Sequence, residues 1–397
     1  MQILYLHQYF KTPSEPGGTR SYWIAQELLK AGHNVTMITS SVKYDEKIKR
    51  ITIDGIEVIY IKEAYSQNMT IYKRLKAFVG FMLKSTKQGL KLKEIDLVIT
   101  TSTPLTIGFP ALILKWFKKI PYVFEVRDLW PEVPIQMGAL KNPIVRNIAL
   151  TFEKTIYKNA KHVIALSPGM QEGVLKYLPK QKTSMIPNMS KIDAFWPRQK
   201  NESMIEQLGL SSDSFKVIHF GALGIANGAS YIIEAASLLK ENSSIEFLFV
   251  GGGSTEDDLK KMCREYKLKN VKFLGRFAMN ELSEIVNLSD VSIVSFKDLP
   301  ILYTNSPNKL FDSLSAGKPI IVNSAGWTKR LVEENSCGYY VNPNKPSELV
   351  DKILFLQSHP EVLKQQGLAS RRLAETKYDK SILCKQFVDV INKLNIN

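Results

Sequence analysis

The stretch TSMIPNMSKIDAFWPRQ, Thr183–Gln199, carries two prolines and no helical periodicity, so it reads as a linker. What lies on either side of it decides the fold. Upstream, QILYL (2–6), VTMITS (35–40), GIEVIYI (55–61), DLVITTS (96–102), YVFEVRD (122–128) and HVIALS (162–167) are short β-branched or apolar runs with helical stretches between them. Downstream the pattern restarts with FKVIHFG (215–221), IEFLFVGGG (245–253), NVKFLG (270–275), VSIVSF (291–296) and KPIIVN (318–323). Strands that are apolar throughout and alternate with helices belong to parallel sheets covered on both faces. The expectation is therefore an α/β chain of two doubly wound domains in tandem, residues 1–189 and 200–378, followed by an amphipathic segment, 379–397, that leaves the second domain.

A chain of 397 residues suits two such domains. The charge is unevenly shared. Residues 1–189 hold 27 Lys/Arg against 14 Asp/Glu, and the remainder is nearly balanced within a total of +15. A basic half seeks an anionic partner. Nucleic acid is not expected, because no fingerprint interleaves the basic charge with base-stacking aromatics. The three cysteines, Cys263, Cys337 and Cys384, are far apart and lack metal-ligand spacing, as befits reduced thiols. MQILYLHQYF has no basic stretch ahead of an apolar run, and no apolar run is long enough to span a bilayer, so a cytoplasmic location is expected.

Ligands of doubly wound sheets bind beyond the carboxyl ends of the strands, and the chemistry-bearing motifs fall there. PGGTR (16–20) sets Gly17 and Gly18 between the first strand and its helix, where a backbone can approach an anion or simply turn. FEVRDLWPE (124–132) leaves a strand with Arg127, Asp128, Trp130 and Glu132 in quick succession. HFGALGIANG (219–228) supplies Gly221 and Gly224 in a loop like a phosphate loop but without its spacing. FVGGGSTEDD (249–258) offers Gly252 ahead of a helix that Ser254 or Thr255 is expected to cap. FLGRF (273–277) puts Arg276 and Phe277 just past a strand. In NSPNKLFDSLSAGKPIIV (305–322), Ser306 can cap, Pro307 suits a first helical position, and Asn308, Lys309 and Asp312 open the helix, the last two as an i, i+3 pair.

YKRLKAFVGFMLKSTKQGLKLK (72–93) has seven basic and no acidic residues. On a helix, Leu75, Phe78, Val79 and Met82 share one face while Lys73, Lys76, Lys84, Lys87 and Lys91 share another, the pattern of a helix lying on an anionic membrane or of a core-packed helix with a solvated basic face. A second basic and aromatic cluster, LILKWFKKIPY (112–122), points the same way.

Taken together, FEVRDLWPE, LSPGM (166–170), IPN (186–188) and SPNKLFDSLSAGKPII resemble glycosyltransferase family 4, the retaining GT-B transferases. Within it the chain is similar to bacterial O-antigen and capsule enzymes that transfer N-acetylated amino sugars, such as N-acetyl-L-fucosamine transferases. The resemblance implies two Rossmann-like domains facing across a nucleotide-sugar cleft, a final helix crossing back to the first domain, and no metal cofactor. It implies a UDP-sugar donor and a polyprenyl-diphosphate-linked saccharide acceptor at the inner face of the cytoplasmic membrane. Asp312 stands where the family has a glutamate for the ribose hydroxyls, and Thr304 replaces a second glutamate. Ala222 and Asn227 replace the basic residues that commonly hold the diphosphate, leaving Arg276 and Lys309 to supply the charge; Arg127 stands where a histidine is frequent, beside Asp128, which would bind acceptor or donor sugar. Two other readings share the fold: a nucleotide-sugar 2-epimerase, and a non-catalytic partner subunit of a transferase.

Overall fold

The computed structural model describes residues 1–65 and 69–395. The chain divides into two units: Met1–Thr12 and Gly18–Pro187 with the segment from Ser381 onward, and Pro13–Gly17 with Asn188–Lys380.

The first unit runs β1 (Gln2–Leu6), α1 (Arg20–Lys30), β2 (Asn34–Ser41), β3 (Ile48–Ile53), β4 (Ile56–Lys62), α2 (Ile71–Lys91), β5 (Leu97–Thr101), α3 (Gly108–Lys118), β6 (Tyr122–Val126), α4 (Glu132–Gln136), α5 (Pro143–Asn159), β7 (His162–Ala165), α6 (Pro168–Leu175) and β8 (Thr183–Met185). Its sheet has the order β3-β4-β2-β1-β5-β6-β7-β8, parallel except where β3 meets β4. β5, β6 and β7 are buried at every position, because helices cover both faces. β3 alternates instead, as an edge strand with one wet face does. Asp54 and Gly55, both at positive φ, turn it into β4.

The second unit runs α7 (Glu202–Gln207), β9 (Phe215–Ala222), α8 (Ser230–Leu238), β10 (Ile245–Gly252), α9 (Glu256–Glu265), β11 (Val271–Gly275), α10 (Met279–Leu288), β12 (Val291–Val294), α11 (Asn308–Ser315), β13 (Ile320–Val322), α12 (Trp327–Glu334), β14 (Gly338–Tyr340), α13 (Pro346–Ser358) and α14 (Pro360–Leu373). Its six strands are parallel in the order β11-β10-β9-β12-β13-β14. Successive side chains of β9 and β10 feed opposite cores: Val217, Phe247 and Phe249 on one face, Ile218, Phe220, Leu248 and Val250 on the other. The final helix, α15 (Lys380–Asn392), passes almost wholly into the first unit, where His33 Nε2 lies 2.9 Å from Asn392 Oδ1.

Three expectations change. Thr183–Met185 is not linker but the eighth strand of the first sheet, and the chain passes from the first unit to the second between Pro187 and Asn188. The hairpin partner β3 and the short β14 were not anticipated. In α2, Phe78 is buried rather than on the open face. The open apolar stripe is Tyr72, Leu75, Val79, Leu83 and Leu90, which repeats at helical spacing beside Lys73, Lys76, Lys87 and Lys91. Residues 112–122 do not form one surface element: Leu112, Leu114 and Tyr122 are core, Lys115 and Lys118 are half-buried and donate to the carbonyls of Asn159 and Leu92, and Trp116, Phe117 and Lys119 stay open.

Candidate active site

In each sheet the strand order reverses once, between β1 and β5 and between β9 and β12, and each reversal opens a crevice at the carboxyl ends of those strands.

In the second unit the crevice is built on α11. Lys309 and Asp312 are each about 7% exposed, too buried for the surface ion pair their spacing allows. They do not bind each other. Asp312 Oδ1 lies 2.5 Å from Nζ of Lys191, which the sequence reading missed. Burial raises the Asp312 carboxyl, and Lys191 opposes that rise.

Lys309 has no carboxylate partner among the described residues. Its Nζ donates towards His219 Nε2 at 3.2 Å and Asn227 Oδ1 at 3.4 Å, and burial pushes its ammonium down to about 7. A buried cation without a counter-ion is costly unless a ligand supplies one. Gly221, at φ +105°, passes beside it; a Cβ there would stand 3.5 Å from Lys309 Cε. His219 is buried in β9 and held well below the usual histidine range, by burial first and then by Lys309, so it is a neutral acceptor.

The start of α11 is open. Pro307 is its cap residue and no side chain caps it. Ser306 does not cap, although the sequence suggested that it could: its hydroxyl accepts from the Asn188 backbone N–H at 3.1 Å, and the Asn188 side-chain amide donates to the Ser306 carbonyl, which gives the asparagine of IPN its role. Asn308 is the first helical residue, so uncapped N–H groups begin next to Lys309, an arrangement that favours an anion.

The β9 loop and the glycine turn frame the other side. The Leu223 carbonyl accepts from Thr255 Oγ1 at 2.8 Å, so Thr255 ties the loops together rather than capping α9. A Cβ at Gly251 would lie 1.9 Å from the Gly221 carbonyl oxygen, so the glycine there lets the two backbones meet. At Gly252 the neighbour is a side chain: a Cβ would stand 2.7 Å from Arg276 Nε. Arg276 is exposed and Phe277 half-buried. Gly224 makes no such demand; the nearest atom to a Cβ there is Asn227 Nδ2 at 3.6 Å. The second unit thus gathers Lys309, Gly221, Gly224 and Asn227, and separately Gly252 with Arg276.

In the first unit, His7 follows β1 and Arg127 and Asp128 follow β6. Arg127 Nη1 donates to His7 Nε2 at 3.4 Å, and the other ring nitrogen, Nδ1, is 2.7 Å from Ser21 Oγ. Burial and then Arg127 hold His7 well below the usual histidine range. Asp128 is half-buried and accepts from Thr103 Oγ1 at 3.0 Å; burial raises its carboxyl above the usual range. Arg20, the arginine of PGGTR, is structural. Its Nε donates to Glu125 at 2.8 Å, and the remaining guanidinium nitrogens donate to the carbonyls of Ile186, at 3.0 Å, and Pro187. Gly17 groups with the second unit at φ +134°, and Gly18 with the first. Among the described residues no three His, Cys, Asp or Glu side chains gather as a metal ion would require.

Residues 17–189 match the glycosyl transferase 4-like domain, and residues 200–372 match the glycosyl transferases group 1 model. The chain is a group 1 glycosyltransferase of the GT-B fold. It is 22% identical over 337 residues to the probable glycosyltransferase WbjE of Pseudomonas aeruginosa, covering 83% of this chain and 82% of that one. It is 26% identical over 285 residues to the putative colanic acid biosynthesis glycosyl transferase WcaI of Escherichia coli K12, covering 68% and 67%. Among solved structures, sucrose-phosphate synthase from Thermosynechococcus elongatus superposes with a TM-score of 0.80 at 18% identity, over 99% of each chain. HepE of Anabaena, solved with UDP and glucose, gives 0.72 at 19% identity, over 99% of this chain and all of that one.

Proposed function

We propose that this glycosyltransferase moves a sugar, an N-acetylated amino sugar such as N-acetyl-L-fucosamine, from a UDP-sugar to a polyprenyl-diphosphate-linked saccharide in building a surface polysaccharide. The observation that carries the reading is Lys309: a buried lysine with no carboxylate partner at the uncapped start of α11. A nucleotide diphosphate is the anion that suits it. Negative charge grows on the departing diphosphate as the anomeric bond breaks, and a preorganised cation and helix N-terminus stabilise that charge most where it is greatest. In this reading Arg276, beside Gly252, adds a second cation, Gly221 and Asn308 offer backbone to the phosphates, and Asp312 Oδ2 accepts from the ribose. The transfer then proceeds with retention and without a metal cofactor.

The reading assigns the acceptor to the first unit. Asp128 and Arg127 stand at the carboxyl ends of its strands, where a carboxylate and a cation can orient sugar hydroxyls or an acceptor phosphate. The open stripe of α2 beside its lysines, with Trp116 and Phe117, suits attachment to the anionic inner face of the cytoplasmic membrane. UDP rather than another nucleotide is supported by HepE, solved with UDP. The test is mass spectrometry of products from a panel of UDP-sugars and a synthetic polyprenyl-diphosphate glycan. Transfer from a UDP-sugar with release of UDP supports the reading; epimer formation without acceptor, or no turnover with any donor, defeats it.

A further inference from the structure

Lys309 is held, as well as buried. From β9, His219 Nε2 stands 3.2 Å from its amine, and from the loop after β9, Asn227 Oδ1 stands 3.4 Å away. Asn227 is itself fixed. Its carbonyl accepts from Ser295 Oγ at 2.7 Å, and Gly228 behind it, at φ +56°, leaves no room for a Cβ, which would lie 2.9 Å from the Phe296 and Lys297 backbone. To accept from an ammonium, His219 must present the Nε2 lone pair, so its proton sits on Nδ1. The titratable groups facing the amine are few. His219 comes from β9; Asp312 comes from α11 but is bound to Lys191; the loop gives only the uncharged Asn227. Lys309 therefore meets two acceptors and no fixed negative charge.

We propose that His219 is a positioning residue that holds the Lys309 amine towards the Gly221 loop in a site without a counter-ion, so that capture of the donor diphosphate draws a proton from solvent onto Lys309. This rests on the donor reading above and deepens it. With the site empty, the burial that lowers Lys309 to about 7 leaves much of it neutral at neutral pH. A diphosphate brings the missing negative charge and favours the ammonium. The proton comes from water or buffer and returns when the nucleotide leaves. His219 never needs to be charged; its part is to accept, and a neutral residue does this without repelling the ammonium.

The experiment is calorimetric titration of the full chain with UDP at pH 8 in buffers of different ionisation enthalpy. UDP's own terminal phosphate is already ionised there, since phosphate monoesters titrate near about 6. The expected result is net uptake approaching one proton per UDP, with affinity falling as pH rises from 7 to 9. Lys309→Met should abolish the uptake. His219→Phe, which removes the acceptor at similar size, should weaken UDP about tenfold and change the pH profile, while His219→Gln, which keeps an acceptor, should recover most of the affinity. UDP binding without proton uptake overturns the inference and leaves the donor reading standing. Absence of UDP binding to the wild type at every pH overturns both.

Discussion

Each unit closes its first strand on a buried, neutral histidine that faces a cation: His7 with Arg127, and His219 with Lys309. The cations differ. Arg127 is half-buried, beside Asp128, and a guanidinium keeps its charge at any ordinary pH. Lys309 is deeper, lacks a carboxylate, and is of the kind that gives up its proton when buried. The same histidine device thus serves a permanent charge in one unit and a conditional charge in the other. A conditional charge suits a ligand that arrives charged and must leave again.

The largest break in this comparison is Lys309→Met. Removing a preorganised cation from a leaving-group site lowers kcat/KM by roughly 10²–10³, and donor kinetics would measure it. Stability should move the opposite way. Folding lowers the lysine from its ordinary value to about 7, so between about 7 and 10 the unfolded chain holds a proton that the folded chain does not. Wild-type stability therefore rises with pH across that window, and the penalty is fully present below it. The Met variant should melt at or above the wild-type temperature at pH 7 and lose that pH slope. A clear fall in melting temperature would mean that the amine is structural.

Most of the architecture was legible because the parallel strands are apolar along their length and the glycine turns sit where strands end. The misses have physical causes. β3 hides in KIKRITI because an edge strand with one wet face alternates, yet the Asp54-Gly55 turn that follows it was a readable hairpin signal. The site was legible in its residues but not in its pairings. Asp312 and Lys309 were read together from their spacing, whereas Asp312 turns to Lys191, more than a hundred residues earlier. No local spacing announces a partner that far away. His219 gave no signal beyond its place in a strand, and Asn227 stood out only as the replacement of a basic residue, not as a partner of Lys309.

Asp312→Asn tests Lys191, the paired buried cation of the donor unit. It leaves Lys191 buried without its carboxylate, and breaking a buried pair costs about 3 kcal/mol. Chemical denaturation should show that loss. If Oδ2 also accepts from the ribose, UDP affinity should fall about fivefold, the equivalent of one hydrogen bond near 1 kcal/mol. Unchanged affinity would make Asp312 a structural partner of Lys191 alone. Replacing both residues, Lys191→Met with Asp312→Leu, should recover much of the stability without recovering UDP binding, which separates the two roles.

The smallest effect carries the contrast between paired and unpaired cations to the surface of the first unit. Lys84 and Lys87 both lie on the basic side of α2, but Lys84 is spent locally: its Nζ sits 2.6 Å from Glu63 and donates to the Lys62 carbonyl at 3.0 Å. Lys87 is exposed, beside the open stripe of Leu75, Val79, Leu83 and Leu90. A lysine near an anionic bilayer contributes about 1 kcal/mol, and only while its charge is free to face the lipid. Lys87→Ala should therefore weaken binding to phosphatidylglycerol vesicles about fivefold, an effect that added salt shrinks. The double variant Lys84→Ala with Glu63→Gln should do less, because it removes a local pair of zero net charge. An equal loss from that double variant would mean that Lys84 faces the lipid despite Glu63. No loss from either would detach α2 from the membrane and leave its apolar stripe for another partner.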